Sequence, residues 1–357
     1  MNSSEQKLAS AADLKRSIPI LRFLAVLAIV GLHSQTVFIA DQNANLFDRF
    51  FQEWTTSWLL RAGLPVLSAI SGFLMLRGWR QEISYYNQKI LRRVQSLLIP
   101  FICVSFLTIF AYALIQTLPG TQAFFAPPLI SDWDLANWLN RSIIDPLNYP
   151  IYFLRDLFLI ALLAPLLAFL LRPSLSAYIT LGVFLILRWC QQDLWIWNIR
   201  LLAWFSAGAA LGLHPEWRWR PHRNLLIGAC LLWLTLTGYG AWEATVTGIR
   251  SRDLGQLTKL LGVGVFFYAT LSIRKDSRLD NVLKYVVPWC FPLFLFHNPI
   301  VNIGKKIPMK FIHNQAVLPT IAWLGAWLGA AIFLVYILAP VGAKYGGKPW
   351  KLITGGR

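Results

Sequence analysis

Residues 21–34 read LRFLAVLAIVGLHS, an apolar run interrupted by one arginine and one histidine. Apolar stretches of about 20 residues, the length that crosses a bilayer as a helix, recur from here toward the end of the chain. Of the 357 residues, 56% are hydrophobic and 14% are charged, and the mean hydropathy is +0.52. Soluble domains carry about a quarter charged residues. The sequence therefore predicts an all-α, polytopic integral membrane protein with about ten transmembrane helices.

The apolar segments define one membrane domain, predicted over residues 18–340. The predicted cytoplasmic tails cover residues 1–17 and 341–357, and no polar stretch is long enough for a separate soluble domain. The two segments that begin at 174 and 200 are short, because polar residues crowd the stretch between them. The ten predicted transmembrane helices span residues 18–40, 57–77, 96–117, 149–171, 174–190, 200–214, 224–242, 257–273, 287–304 and 317–340.

The net charge of +17 comes largely from basic residues in the predicted loops. Cytoplasmic loops of membrane proteins concentrate Lys and Arg, where these residues also meet anionic lipid, so no nucleic-acid partner is needed to explain the charge. With the N-terminus inside, most bases fall in inner segments, and outer segments hold acids such as Asp132, Asp134 and Asp145. The bias predicts that both termini are cytoplasmic. The basic residues that break the pattern are Arg141, Arg250, Arg252, Lys305, Lys306 and Lys310.

Charged groups inside the predicted spans are the first functional signal, since each costs roughly 2.5–3.5 kcal/mol on insertion scales. Arg22 and His33 are eleven residues apart, so on a helix they share nearly the same face and differ in height by about 16 Å. A snorkelling arginine and a hydrogen-bonded core histidine would explain them without any function. The alternative is one functional stripe that carries a cation and an imidazole.

Two further segments carry polar groups near span ends. Residues 61–75, RAGLPVLSAISGFLM, hold Arg61 at one end and Ser71 next to a glycine at the other. Close helix packing explains the small residues, but it does not explain the arginine. Residues 89–100, KILRRVQSLLIP, place three bases at i, i+3 and i+4, and therefore on one helix face. They are either a positive-inside cluster or a phosphate clamp for an anionic cofactor.

The second half of the chain adds Arg155 and Asp156 in YFLRDLFLIALLAP, residues 152–165, and His297 in FPLFLFHNPIV. Adjacent residues point in different directions on a helix, so we expect separate partners for Arg155 and Asp156. A lone histidine on an apolar helix is more often a satisfied core group than a catalyst. The four cysteines show neither CxxC spacing nor a zinc pattern, so no metal site is predicted.

These segments, in this order, resemble the motifs of the membrane-bound acyltransferase family 3. The pattern Arg-x10-His matches Arg22 and His33, and RAGLPVLSAISGFLM is similar to the second-helix pattern. KILRRVQSLLIP resembles the basic segment that ends in proline at the third helix, and YFLRDLFLIALLAP resembles the WFLxxL-type helix, with Tyr152 where tryptophan is common. FLFHNP is similar to the late YLxHP motif, although Asn298 precedes the proline. The resemblance covers about residues 15–340.

The resemblance implies O-acylation of a glycan, such as a surface polysaccharide or lipopolysaccharide, by an enzyme of the bacterial cytoplasmic (inner) membrane. It implies acetyl-CoA from the cytoplasm as acyl donor, and a glycan or lipid-linked glycan outside as acceptor, in contact with membrane lipids. It implies no metal and leaves the oligomeric state open. The expected site residues are His33, Arg22 and Ser71 for catalysis, Lys89, Arg92 and Arg93 for the donor, and Arg61, Arg155, Asp156 and His297 for the acceptor.

Acyl transfer to a hydroxyl needs a base, oxyanion stabilisation and two substrates held together. Histidine suits the first task because its pKa lies near neutrality, so His33 is either the general base or a transient acyl carrier. Two other functions remain open from the sequence. One is a glycan or small-molecule transporter or flippase, although internal repeats are not apparent. The other is a membrane ligand-sensing domain, because one branch of the family serves resistance proteins.

Overall fold

The helices form the whole framework of the protein. The computed structural model describes residues 10–39, 41, 43–119, 135–190, 198–218, 222–312 and 317–355, and this part of the chain contains no strand. Asp132 and Asp134 of the predicted outer loop lie outside the described residues. The main helices are α1 Ala11–His33, α2 Leu46–Leu76, α3 Ile83–Thr117, α4 Tyr149–Leu162, α5 Ala164–Leu171, α6 Ser174–Trp189, α7 Ile199–Leu213, α8 Arg223–Thr247, α9 Arg252–Ser272, α10 Arg278–Lys305 and α11 Leu318–Tyr345. Shorter helices are Leu135–Leu139, continued by a π-helical turn at Asn140–Ile144, and Gly347–Ile353.

The all-α, multi-pass prediction is confirmed. Among the described residues, seven helices are long and apolar enough to cross a membrane, and α4 with α5 forms an eighth candidate that is bent by 60°. Helices α6 and α7, with 16 and 15 residues, are shorter than the roughly 20 residues of a full span. They correspond to the two short segments that flank the polar stretch, and the predicted count of ten is not confirmed.

Several helices begin earlier than the apolar runs suggest. Helix α1 begins at Ala11 because Ser10 and Asp13 form a capping box, and it ends at His33. Arg22 therefore lies halfway along the helix, and His33 is its last residue. Helix α3 begins at Ile83, so its basic residues lie within the helix and not before it. Hydropathy does not detect these starts because caps and amphipathic first turns are polar.

The tightest helix crossing joins α2 and α7 through two glycines. A Cβ atom added to Gly72 would lie 1.8 Å from the carbonyl oxygen of Phe205, and one added to Gly208 would lie 1.8 Å from that of Ala69. Only glycine permits this backbone contact. The close packing predicted for the small residues near Ser71 is therefore present. Helix α1 packs against α2 and against α10.

Candidate active site

The first of two cavities lies around Arg22, in the middle of α1. Its volume is about 500 Å³, and its polar lining consists of Arg22, Ser71 and Arg93. Helices α4 and α10 supply most of its apolar wall. We call it the Arg22 cavity, and it is lined by Arg22, Val26, Leu67, Ile70, Ser71, Arg93, Leu97, Phe153, Leu154, Leu157, Cys290, Phe291 and Phe294.

Arg93 links α3 to α2 at this cavity. Its Nη1 donates to Ser71 Oγ at 3.1 Å, and its Nη2 donates to the Ser71 carbonyl oxygen at 2.9 Å. Lys89 Nζ donates to the carbonyl oxygen of Leu74 at 3.0 Å, in the last turn of α2, where a cation is favoured by the helix dipole. Arg92 is exposed. Of the three predicted donor-binding residues, only Arg93 lines the Arg22 cavity.

The second cavity lies around His33 and has a volume of about 1080 Å³. We call it the His33 cavity. Phe294 lines this cavity and the Arg22 cavity, so the two meet at that ring. Ser71 lines only the Arg22 cavity, so the structure groups it with Arg22 and Arg93 and not with His33. The His33 cavity is lined by Ile29, Leu32, His33, Leu60, Arg61, Leu64, Pro65, Tyr149, Pro150, Tyr152, Arg188, Arg200, Leu201, Trp204, Lys259 and Phe294.

His33 is positioned by hydrogen bonds that hold the end of α1. The indole of Trp323 donates to the Gly31 carbonyl at 2.9 Å, and Lys305 Nζ donates to the His33 carbonyl at 2.8 Å. The last carbonyls of a helix lack partners within the helix and favour a cation. Lys305 broke the charge pattern of the loops, and this position at the end of α1 gives it a structural role.

His297 on α10 lies beside His33, with 5.4 Å between the ring centroids. It is fully buried, and its Nδ1 lies 2.8 Å from the Phe294 carbonyl oxygen. Since a carbonyl can only accept, Nδ1 carries the proton and Nε2 is left with a lone pair. No described residue bonds to His297 Nε2 or to the ring nitrogens of His33. The structure therefore brings together two imidazoles that lie far apart in the sequence.

Arg155 and Asp156 are bound to each other, which contradicts the expectation of separate partners. Arg155 Nε and Nη2 donate to Asp156 Oδ1 at 3.0 and 2.8 Å. Its Nη1 donates to the carbonyl oxygens of Ile143 and Ile144, each at 2.7 Å. The long arginine side chain folds back over its neighbour, so the direction of the Cα–Cβ bonds did not decide the contact. Neither residue lines the His33 cavity, although both were predicted to bind the acceptor.

Three cations of the His33 cavity were not predicted as site residues: Arg188, Arg200 and Lys259. The first two belong to the polar stretch that obscured the helix boundaries. Lys259 lies within α9 and was a detectable signal, because a lysine inside a span is costly unless it faces a polar interior. With Arg61, which was predicted, they give the cavity four cationic side chains.

The carboxylate of Glu53, on α2, is bound by Arg250, which is not one of the four cations of the His33 cavity. Arg250 Nε and Nη2 donate to its two oxygens at 2.6 and 2.7 Å. These hydrogen bonds raise the pKa of Arg250, which lies between α8 and α9. Arg250, which also broke the charge pattern of the loops, thus has a buried acidic partner.

No group of three His, Cys, Asp or Glu side chains suited to a metal ion occurs in the described ranges. Cys103, Cys190, Cys230 and Cys290 form no disulfide bonds with one another. Imidazole, hydroxyl and cationic side chains are among the groups that line the two cavities.

Fold and site define a helical, multi-pass membrane protein with a pair of neighbouring histidines, one of which lines a cavity with several cationic side chains. The sequence profile of the acyltransferase domain family, acyltransferase family 3, matches residues 15–341. The chain belongs to this family of membrane acyltransferases.

A relative is the succinoglycan biosynthesis protein ExoH of Rhizobium meliloti (strain 1021), 30% identical over 225 residues. The match covers 57% of this chain and 55% of that protein, so the chain spans about half the length of this relative. No solved structure matches the chain.

Proposed function

We propose that the protein transfers an acyl group, and specifically an acetyl group, from cytosolic acyl-CoA to a hydroxyl of an extracytoplasmic glycan. One observation carries the proposal. Two cavities with different linings share Phe294: Arg22 lines one of them, and His33, whose ring lies 5.4 Å from that of His297, lines the other. This arrangement suits a reaction between two substrates that approach from opposite sides.

The Arg22 cavity is the proposed donor site. Arg22 and Arg93 supply positive charge within it, while Lys89 and the exposed Arg92 add charge at the adjoining surface of α3. Charge-assisted hydrogen bonds to phosphate are among the strongest in proteins, so this cluster suits the phosphates of CoA. The apolar wall formed by α4 and α10 suits the uncharged arm that ends in the thioester.

The His33 cavity is the proposed acceptor site. The acceptor hydroxyl gives its proton to an imidazole nitrogen as its oxygen attacks the thioester carbonyl, and the CoA thiolate then leaves and takes up a proton. If His33 is instead an acyl carrier, its ring nitrogen attacks the thioester carbonyl and expels the CoA thiolate. The acceptor hydroxyl then attacks the acyl-imidazole, and the imidazole leaves and takes up the hydroxyl proton. Arg61 lines the same cavity and suits the oxyanion of either tetrahedral intermediate.

The loop between α2 and α3 is basic, which supports a cytoplasmic position for this loop, and the proposed orientation has both termini in the cytoplasm. The bacterial inner membrane has acyl-CoA on this side and the glycans of the cell surface on the other. A relative named for succinoglycan biosynthesis supports a polysaccharide acceptor.

The test uses purified protein in lipid nanodiscs, acetyl-CoA radiolabelled in the acetyl group, and a mixture of bacterial surface glycans. We expect label in the glycan fraction, sensitive to mild base as an ester is, and an equal amount of free CoA. The matched control is His33→Ala. Binding of glycan without label transfer or CoA release would contradict the proposal and favour a transporter or a ligand sensor.

A further inference from the structure

The His33 cavity carries more positive charge than acyl transfer requires. Its four cationic side chains come from α2, α6, α7 and α9, and no aspartate or glutamate lines it in the part of the chain that the structure describes. The buried carboxylates of Glu53 and Asp156 are held by other arginines. The cations are Arg61, Arg188, Arg200 and Lys259.

Arg188 is the clearest sign that an anion is required. It lies at the end of α6 with 3% of its surface exposed, and its Cζ is 5.0 Å from the centre of the Trp204 ring. Its Nε and Nη1 atoms are buried and have no hydrogen-bond partner among the described residues. A guanidinium keeps its charge, and a buried charge without a partner is strongly unfavourable. The ring of Trp204 contributes a cation–π contact, which does not replace two hydrogen bonds.

Lys259 and Arg61 reach the same cavity from other helices. Neither side chain makes an ion pair or a hydrogen bond with any residue in the described ranges. Like charges that share one cavity repel each other, so their convergence is unfavourable until an anion lies between them. Lys259 is half-buried and Arg61 is exposed, and both line the cavity that Arg188 also lines.

We infer that the His33 cavity binds an acidic sugar residue of the acceptor, one that bears a carboxylate or a phosphate. The inference rests on the proposed function and adds the chemical class of the acceptor. The planar fork of Arg188 matches the paired oxygens of either anion, and Lys259 supplies a second, point-like charge. The space around His33, about 1080 Å³ including the solvent at its opening, is large enough for a sugar residue.

The experiment measures binding directly, by calorimetry on the full chain in nanodiscs of zwitterionic lipid. The probes are methyl glucuronide, glucose 1-phosphate and the neutral methyl glucoside. We expect at least one acidic sugar to bind about tenfold more tightly than methyl glucoside, or better, because hydrogen bonds to charged groups are worth a factor of about ten or more. The two acidic probes distinguish a carboxylate from a phosphate.

Arg188→Gln and Lys259→Gln should each lower the affinity for the acidic sugar about tenfold and leave the affinity for methyl glucoside unchanged. The matched control is Arg252→Gln, which removes an exposed arginine at the start of α9. Arg188→Lys, which keeps the charge, should retain part of the preference. Thermal melting identifies any variant that fails to fold, and the remaining variant then decides the test.

Equal binding of all three probes, or a preference that survives in folded Arg188→Gln and Lys259→Gln, would overturn the inference. Its failure is distinguishable from that of the proposed function because binding is measured without acyl-CoA. Acyl transfer to a neutral glycan with no acidic preference would refute only the acceptor class. An acidic preference without acyl transfer would refute only the proposed reaction.

Discussion

Replacing each of three histidines by alanine separates a catalytic imidazole from a structural one. Both ring nitrogens of His214 are bound, Nδ1 to Glu216 at 2.9 Å and Nε2 to the Leu171 carbonyl oxygen at 2.8 Å. His297 has one bound nitrogen, and no described residue binds the ring of His33. Only a nitrogen without a structural partner is available to a substrate proton. The expected loss of acyl transfer therefore runs from His33, the largest, through His297 to His214, the smallest.

The magnitude for His33 follows from its proposed role. A positioned general base contributes about 10²–10⁴ in rate, so His33→Ala should lower kcat by this factor, or about 2.7–5.5 kcal/mol in activation free energy. His297→Ala should also slow the reaction, because its ring lies against that of His33. Residues that act as a unit are non-additive, so the double variant should be little slower than His33→Ala. His214→Ala should instead lower the melting temperature through two lost buried hydrogen bonds, at about 1–3 kcal/mol.

The assay follows radiolabelled acetyl transfer at saturating donor, with melting temperature measured on the same samples. If His33→Ala keeps more than about a tenth of the wild-type rate, the loss is smaller than a general base contributes. That result would refute both proposed roles of His33. Losses at His33 and His297 that simply multiply in the double variant would show that the two rings act independently.

Three further predictions concern the donor site, the helix crossing and the topology. Arg93→Ala should weaken acyl-CoA binding about tenfold or more in calorimetry, because a charge-assisted contact is lost; an unchanged affinity would reduce the basic cluster to a topology signal. Gly72→Ala should destabilise the fold by about 1–3 kcal/mol or more in thermal melting, because the new methyl group would meet a backbone carbonyl. Gly228→Ala is the control, because Gly228 has open space around it and its substitution should not destabilise the fold. Equal melting temperatures for the two variants would refute the close crossing. Single cysteines at the exposed Gln88 and Ala136, with the native cysteines removed, should react with an impermeant maleimide in intact cells only at Ala136; labelling at Gln88 would invert the proposed orientation.

The fold class was predictable because the bilayer restricts the choices. Apolar runs of the right length have few alternatives to helices, so the membrane helices follow from hydropathy. The starts of α1 and α3 were not predictable from hydropathy, because they depend on caps and amphipathic turns. The crossing at Gly72 was predictable only in part. The sequence showed the small residues of α2, but it did not show that Gly208 of α7 packs against them.

The candidate site was predictable where residues recur at a helical spacing. Arg22 and His33 share a stripe of one helix, and each lines a cavity as that stripe suggests. The pairing of His33 with His297 depends on how α1 packs against α10, which no local pattern encodes. Arg188 was missed for a different reason. A cation near a short, polar span counts against the span in a hydropathy argument, although the same cation is evidence for a polar cavity.

The meeting of the two cavities at Phe294 bears on how a reaction can cross a membrane without opening it. A transporter must let its whole cargo pass, which requires the bundle to rearrange around a fixed site. An acyl transferase needs to pass only the acyl carbonyl, while CoA and glycan each stay on their own side. Phe294 is the lining residue that the two cavities share. The backbone carbonyl of Phe294 also accepts a hydrogen bond from Nδ1 of His297, whose ring lies 5.4 Å from that of His33. Under the proposed function, Phe294 would therefore lie between donor and acceptor and also position the histidine pair.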